Sequence, residues 1–310
     1  MMAPILGALL LAVLTLLTLL APAPLHAQQL GFQGASPKVT LGDVLEAEAT
    51  FTVRHKGQAT DFFITFGPGA AGTFDPREMT DGTNVLQYVV WDNASSQNLL
   101  KDLSVSVTND NVLVGSFPAQ TGGGGWQRQD LTVTVRVSGG FYRAGNYTDA
   151  VAMTLYSGTL AANTQEDTST LDVDAKIQAK SEVSIVAPGG LFDVNATDYT
   201  MDFGLFSSGQ SREADLIARS NVPYSLSLTS QNGGVFTYTA GGDTSTVPYS
   251  LFFDGTEVSL PAGTAVTVVP SAAETTIDGT RYPLEVVIGS LGVATEGQYD
   301  DVITVDIAAL

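Results

Sequence analysis

The side chains that could carry out chemistry are few, and their types exclude most of it. The chain has no cysteine and two histidines, His26 and His55, so thiol nucleophiles are ruled out and a Cys/His zinc site lacks its ligand set. His55 stands between Arg54 and Lys56 and reads as a solvated loop residue. Gly67, Gly69 and Gly72 reproduce the glycine spacing of a dinucleotide-binding turn, with Asp92 further on. That fingerprint requires a helix after the strand, whereas Thr73, Phe74, Asp75 and Pro76 follow here, so the run reads as a turn. The glycines at 122–125 lack the Lys-Ser/Thr pair of a phosphate loop and read as a flexible connection. Asp172 with Asp174 and Asp300 with Asp301 pair carboxylates without calcium-loop spacing. Solvated strand faces are expected for them, except that alternation turns Asp301 inward beside Tyr299, where a carboxylate needs a hydrogen-bond partner. No catalytic residue, cofactor or metal site is expected, and the chain reads as a non-enzyme. Trp126, just after the glycine run, and Phe117 nearby are candidates for an apolar adhesive loop; the alternative is that Trp126 tucks into its own domain.

One spacing does recur, and it sets the elements. Gly145-x-Tyr147-x-Asp149 leads into Val151, Met153 and Leu155, and Gly297-x-Tyr299-x-Asp301 leads into Ile303, Val305 and Ile307 at identical offsets. Apolar residues at every second position make a strand with one face in a core. A tyrosine just ahead of a core strand, after a glycine-containing turn, resembles the tyrosine corner of immunoglobulin-like sandwiches, whose hydroxyl bonds back to the loop before strand F. Both copies are read as strand F. The expected fold is all-β, two tandem immunoglobulin-like β-sandwich domains of pilin type, the second lacking its last strand. Only three residues follow Ile307, so a strand beside the second copy is expected to come from another polypeptide.

The remainder is consistent with strands throughout. Runs at 49–53, 62–66, 103–107, 131–137, 224–228, 251–253 and 284–288 are separated by Gly, Asn, Asp and Pro, and no window holds a helical period. Residues 5–20 form an apolar run followed by Ala21, Pro22, Ala23 and a small-residue site at Ala27; residues 1–27 read as a secretory signal peptide, with a membrane anchor as the alternative for a run short of the ~20 residues that span a bilayer. The domains are then 28–160 and 177–310, with 161–176 either a linker or the last strand of the first domain; Leu171, Val173, Ala175 and Ile177 alternate with polar residues and suit either that strand or the first strand of the second domain. Acidic residues outnumber basic ones 32 to 13, for a net charge of −19. Nucleic acid is therefore not an expected partner, because phosphate binding needs clustered cations. The imbalance falls mainly on residues 161–310, which hold 20 acidic and 5 basic residues.

The two halves match beyond the corner. Tyr88 ahead of Asp92 answers Tyr249 ahead of Asp254, and Gly67, Arg77-Glu78-Met79 and the glycine run complete a pattern in the first half, while Phe203-Gly204, Pro223-Tyr224 and Pro248-Tyr249 recur in the second. At these residues the chain resembles the spore-coat-protein-U-like domain family, the pilin fold of archaic chaperone-usher pili. It departs from that family in having no cysteines and no clear Arg-x-Met in its second half. The resemblance implies a secreted subunit that passes through the periplasm to the cell surface or pilus. Its implied partners are a periplasmic chaperone, an outer-membrane usher, an adjacent pilin subunit donating a strand, and an abiotic surface or host receptor. Under this reading Ile303, Val305 and Ile307 line the donor-strand groove. Residues 28–37 contain Gly31, Gly34 and Pro37 without an alternating apolar run, a poor donor strand, so the expected position is the fibre tip, as its adhesin. A secreted coat or matrix protein of the same fold and a carbohydrate-binding module are the alternatives.

Overall fold

Alternating residues become strands along most of the chain in the computed structural model, which describes residues 29–42, 45–120, 125–240 and 244–310; the run at 103–107 is an exception, a turn-rich loop with Leu103 and Val105 exposed. The expected signal peptide and glycines 122–124 lie outside the described residues. Ten strands make the first sandwich: β1 (Gln29–Gln33), β2 (Lys38–Leu41), β3 (Glu46–Lys56), β4 (Thr60–Phe66), β5 (Arg77–Thr80), β6 (Val85–Trp91), β7 (Leu113–Phe117), β8 (Gln127–Val137), β9 (Gly145–Thr159) and β10 (Ala162–Ile177). One layer runs β1-β3-β8-β6-β5 and the other β7-β4-β9-β10-β2, joined where Thr80 pairs with Thr148. The strand β10 lies antiparallel to β9 and parallel to β2. Its alternation is used inward: Leu171, Val173 and Ala175 are buried in the first core.

The second sandwich comprises β11 (Ser181–Val186), β12 (Ser211–Ser220), β13 (Tyr224–Ser230), β14 (Val235–Tyr238), β15 (Thr246–Phe253), β16 (Thr256–Val258), β17 (Val266–Ala272), β18 (Thr280–Ile288), β19 (Tyr299–Asp300) and β20 (Ile303–Ala309). One layer runs β11-β12-β18-β15-β14-β19 with β16 on β15; the other is β17-β13-β20. Each sandwich has its own buried apolar cluster. A single 3₁₀ turn, Asn109–Asn111, is the helical content among the described residues, and no helix there is long and apolar enough to cross a membrane.

The sandwiches meet through Asn221 in the turn after β12. Its carbonyl accepts from the Ala144 N–H at 3.1 Å, and its side-chain amide donates to the carbonyls of Tyr142 (3.0 Å) and Gln178 (2.8 Å). The loop between β8 and β9 is therefore the end of the first sandwich that faces the second.

Candidate functional site

The two sandwiches differ most at one strand. In the first, β9 is flanked by β4 and β10, and its inward residues Val151, Met153 and Leu155 are 0% exposed. Its counterpart β20 pairs with β13 alone, from Tyr224 opposite Ala309 to Ser230 opposite Ile303. Among the described residues no strand occupies its outer edge. Ile303, Val305 and Ile307 point at the second core yet stay half-buried. The layers end on β11 and β20, and Val183 of β11 is half-buried as well. Unpaired backbone groups along an edge, beside apolar side chains that a neighbour would cover, form a template for strand addition. Each large apolar side chain fully buried there adds roughly 1.5–3 kcal/mol.

This edge is held in place by polar contacts at the start of β20. The Tyr299 hydroxyl donates to the Thr295 carbonyl at 2.6 Å, and the Tyr147 hydroxyl donates to the Arg143 carbonyl at 3.0 Å, each reaching four residues back. Replacing either tyrosine by Phe removes one hydrogen bond, so its own sandwich should lose about 1 kcal/mol and the other none. Separate unfolding transitions in calorimetry of the full chain check this; equal stability in both variants would show the hydroxyls to be idle.

The aspartates two residues on bind elsewhere. Asp149 accepts from the Tyr88 hydroxyl and from the Ala70 N–H at 3.0 Å. Asp301 accepts from the Tyr249 hydroxyl (2.5 Å), the Ser230 hydroxyl (2.6 Å) and the Asn232 N–H (2.9 Å). Tyr88 and Tyr249 come from β6 and β15 in the facing layers, so each pair ties one layer to the other where the strand begins. Burial, with the bond to the carboxylate, pushes both phenols well above the ordinary tyrosine range. The partner of Asp301 is thus a tyrosine of the facing layer rather than its neighbour Tyr299. Tyr88 and Tyr249 occupy matching places in the two halves, and that match was the available signal.

The Gly67-x-Gly69-x-x-Gly72 run serves the same clamp. Gly69 has φ = 71°, and a Cβ there would stand 2.1 Å from the Asp149 carboxylate, so only glycine lets the turn close on it. No helix follows. Arg77, opening β5, is fully buried: it donates to the carbonyls of Gly67 (2.9 Å), Phe66 (3.3 Å), Leu100 (2.7 Å) and Phe74 (3.3 Å). Burial pushes its guanidinium down to about 10, which leaves it charged at neutral pH.

Two sequence expectations need correcting at the far end of the first sandwich. His55 is not solvated but 0% exposed, with Nδ1 at 3.1 Å from the Gln127 side-chain oxygen and its ring stacked on Phe117 at 5.2 Å. Phe117 is not surface: it is 5% exposed and also stacks on Phe62 at 5.3 Å. Both face inward because β3 continues its alternation through Phe51, Val53 and His55 and β7 ends inside the core. Trp126 is half-buried, with the Arg54 guanidinium 4.5 Å from the centre of its ring. It stands at the start of β8, at the opposite end from the loop that meets Asn221. Asp172 and Asp174 alternate with the buried Val173 on β10, and Asp174 pairs with Lys38. Among the described residues no group of three His, Asp or Glu side chains is placed to hold a metal ion.

No protein-family model matches the sequence, and no curated protein matches it. Solved structures do align over most of its length. They include the chaperone–tip adhesion subunit pre-assembly complex CsuC–CsuE of archaic Csu pili from Acinetobacter baumannii, with 11% identity, 91% of this chain and 99% of that chain covered, and a TM-score of 0.41. CfaE, the adhesive subunit of CFA/I fimbria of enterotoxigenic Escherichia coli, aligns at 12% identity over 91% of this chain and 81% of that chain, with a TM-score of 0.36. The CupB6 tip adhesin from Pseudomonas aeruginosa aligns at 10% identity over 90% and 93%, with a TM-score of 0.34.

Proposed function

We propose that this chain is a secreted subunit of a chaperone-usher pilus, that it sits at the fibre tip as an adhesin, and that a strand from another polypeptide completes its second sandwich. The observation that carries the reading is the contrast between two equivalent strands. The first sandwich covers β9 with its own β10, whereas among the described residues no strand is hydrogen-bonded to the outer edge of β20, and its inward residues Ile303, Val305 and Ile307 stay half-exposed. In this reading a periplasmic chaperone lends the missing strand during transit, and an adjacent pilin subunit replaces it at an outer-membrane usher. The clamp of Asp301 on Tyr249 and Ser230 keeps β20 in position to receive either one.

The tip position follows from what the first strand is doing. Residues Gln29–Gln33 pair antiparallel with β3, Leu30 is buried, and Phe32 packs edge-on against Phe51 at 6.0 Å. A segment used inside its own sandwich is not free to be a neighbour's donor strand. In this reading the chain accepts a strand at β20 while Gln29–Gln33 gives none, and a linear fibre has a place for such a subunit at one end. The adhesive contact is then made by the first sandwich, at the end carrying Trp126.

Antibody labelling of whole cells that produce this chain tests the reading. Gold should appear at one end of surface fibres; label along the shafts would overturn the tip assignment, and label only in an amorphous coat would favour the coat-protein alternative.

A further inference from the structure

Basic residues are scarce in this acidic chain, and three of them share one face at the end of the first sandwich farthest from the second. Arg54 and Arg128 stand directly opposite each other across β3 and β8, with His55 opposite Gln127 on the next rung. His55 points into the core, so alternation turns Arg54, Lys56, Trp126 and Arg128 to the outer face. On the other side of β3, Gly31 lies opposite Arg54 and Gln29 opposite Lys56.

Like charges directly opposed across two strands destabilise a sheet, and with 32 acidic residues in the chain a carboxylate partner would be an easy remedy. Among the described residues none is supplied: no ion pair is made by Arg54, Lys56 or Arg128, although six others hold the remaining surface together. Two carboxylates share this face, Asp130 accepting from the Thr52 hydroxyl at 2.6 Å and Asp167 from the Phe32 N–H at 2.9 Å, and neither forms an ion pair with the three cations. The Arg54 guanidinium stands over the Trp126 ring, 4.5 Å from its centre, and its buried Nε has no hydrogen-bond partner. Arg128 donates from Nε to the Gln33 side-chain oxygen at 2.6 Å, which orients it without neutralising it. A local rule broken without compensation is where function is expected.

We infer that this face binds an acidic polysaccharide, a chain of sugar rings bearing carboxylates. Arginines held by an indole and an amide present their remaining N–H groups in a fixed plane, the geometry that matches carboxylate oxygens. The half-exposed indole offers a flat apolar surface for a sugar ring, and the amides of Gln29 and Gln33 on the same face suit hydroxyl groups. The rest of the molecule opposes densely charged polymers: at a net charge of −19 the long-range field repels duplex nucleic acid, with one charge per ~1.7 Å of axis, and anionic membranes more strongly than a polymer with one charge per ring. The inference rests on the first sandwich alone and holds whether or not the second receives a donor strand.

The test uses the full chain, with polygalacturonate as probe, neutral dextran and a DNA oligonucleotide of equal charge as competitors, and vesicles containing phosphatidylglycerol. Saturable binding to polygalacturonate that weakens with salt is expected, with at least about a tenfold loss in the double variant Lys56→Gln/Arg128→Gln. That pair leaves Arg54 on Trp126, so folding is preserved; Arg54→Gln/Arg128→Gln should lose more. The charge-matched control Lys101→Gln/Lys176→Gln should bind as the parent does. No binding at low salt, equal loss in the control, or tighter binding to DNA or vesicles than to polygalacturonate would each overturn the proposal.

Discussion

Joining a donor strand to the chain after Leu310, through a flexible linker, should raise the unfolding temperature of the second sandwich by roughly 10–20 °C and leave the first where it is. The size follows from the bare edge of β20. A strand that places three or four apolar side chains over Ile303, Val305 and Ile307 adds roughly 1.5–3 kcal/mol for each one fully buried. It also pairs the unused N–H and C=O groups of that edge. Against this stands the ordering of the new strand, about 1–2 kcal/mol per residue of backbone; burial together with about 0.5–1.5 kcal/mol for each new hydrogen bond exceeds that cost by a few kcal/mol. The equivalent arrangement already exists within the molecule, where Leu171, Val173 and Ala175 of β10 lie beside β9 and the residues beneath are fully buried. A donor strand whose apolar positions are changed to Asp should give no gain. Two-transition calorimetry separates the halves, and an unchanged second transition with the apolar donor would sink the proposed completion of this sandwich.

Replacing Arg77 by Leu should unfold most of the first sandwich. The side chain is fully buried and donates to four carbonyls drawn from Phe66, Gly67, Phe74 and Leu100. Removing it strands those oxygens at a cost of about 1–3 kcal/mol each where water cannot reach them, and domains of this size are stable by only about 5–15 kcal/mol in total. Lysine keeps the charge but not the fork of donors, so Arg77→Lys should fall between the two. The second sandwich should melt as before in both variants. A first transition lowered by less than the equivalent of about 1 kcal/mol in Arg77→Leu would show that the loop carbonyls find other partners.

Arg77 also marks a limit of reading from sequence. Arg77-Glu78-Met79 was visible as a motif, but nothing local says that the guanidinium is buried, because its acceptors lie in separate segments that meet only in the folded state. His55 is different: Phe51, Val53 and His55 keep the period of an inward strand face, and the signal was masked by the charges of Arg54 and Lys56 on either side. Phe117 was misplaced for a related reason, since proximity to a glycine run says nothing about which way a strand-end ring turns.

What the sequence determined by itself was local and repeated. Period-two alternation specified strands and their inward faces, because side-chain direction in a strand depends only on its own backbone, and the recurrence of Gly-x-Tyr-x-Asp marked two of those strands as equivalents. Which inward face is covered is not a local property. Val151 and Ile303 occupy equivalent positions in near-identical patterns, yet one is enclosed and the other half-exposed, because burial depends on the strand next door. Likewise the alternation at 171–177 suited either sandwich, and only the tertiary pairing with β9 and β2 assigned it to the first. Asp301 needed a partner on physical grounds, and the fold chose Tyr249 from the facing layer, a contact between residues far apart in the chain that no spacing encodes.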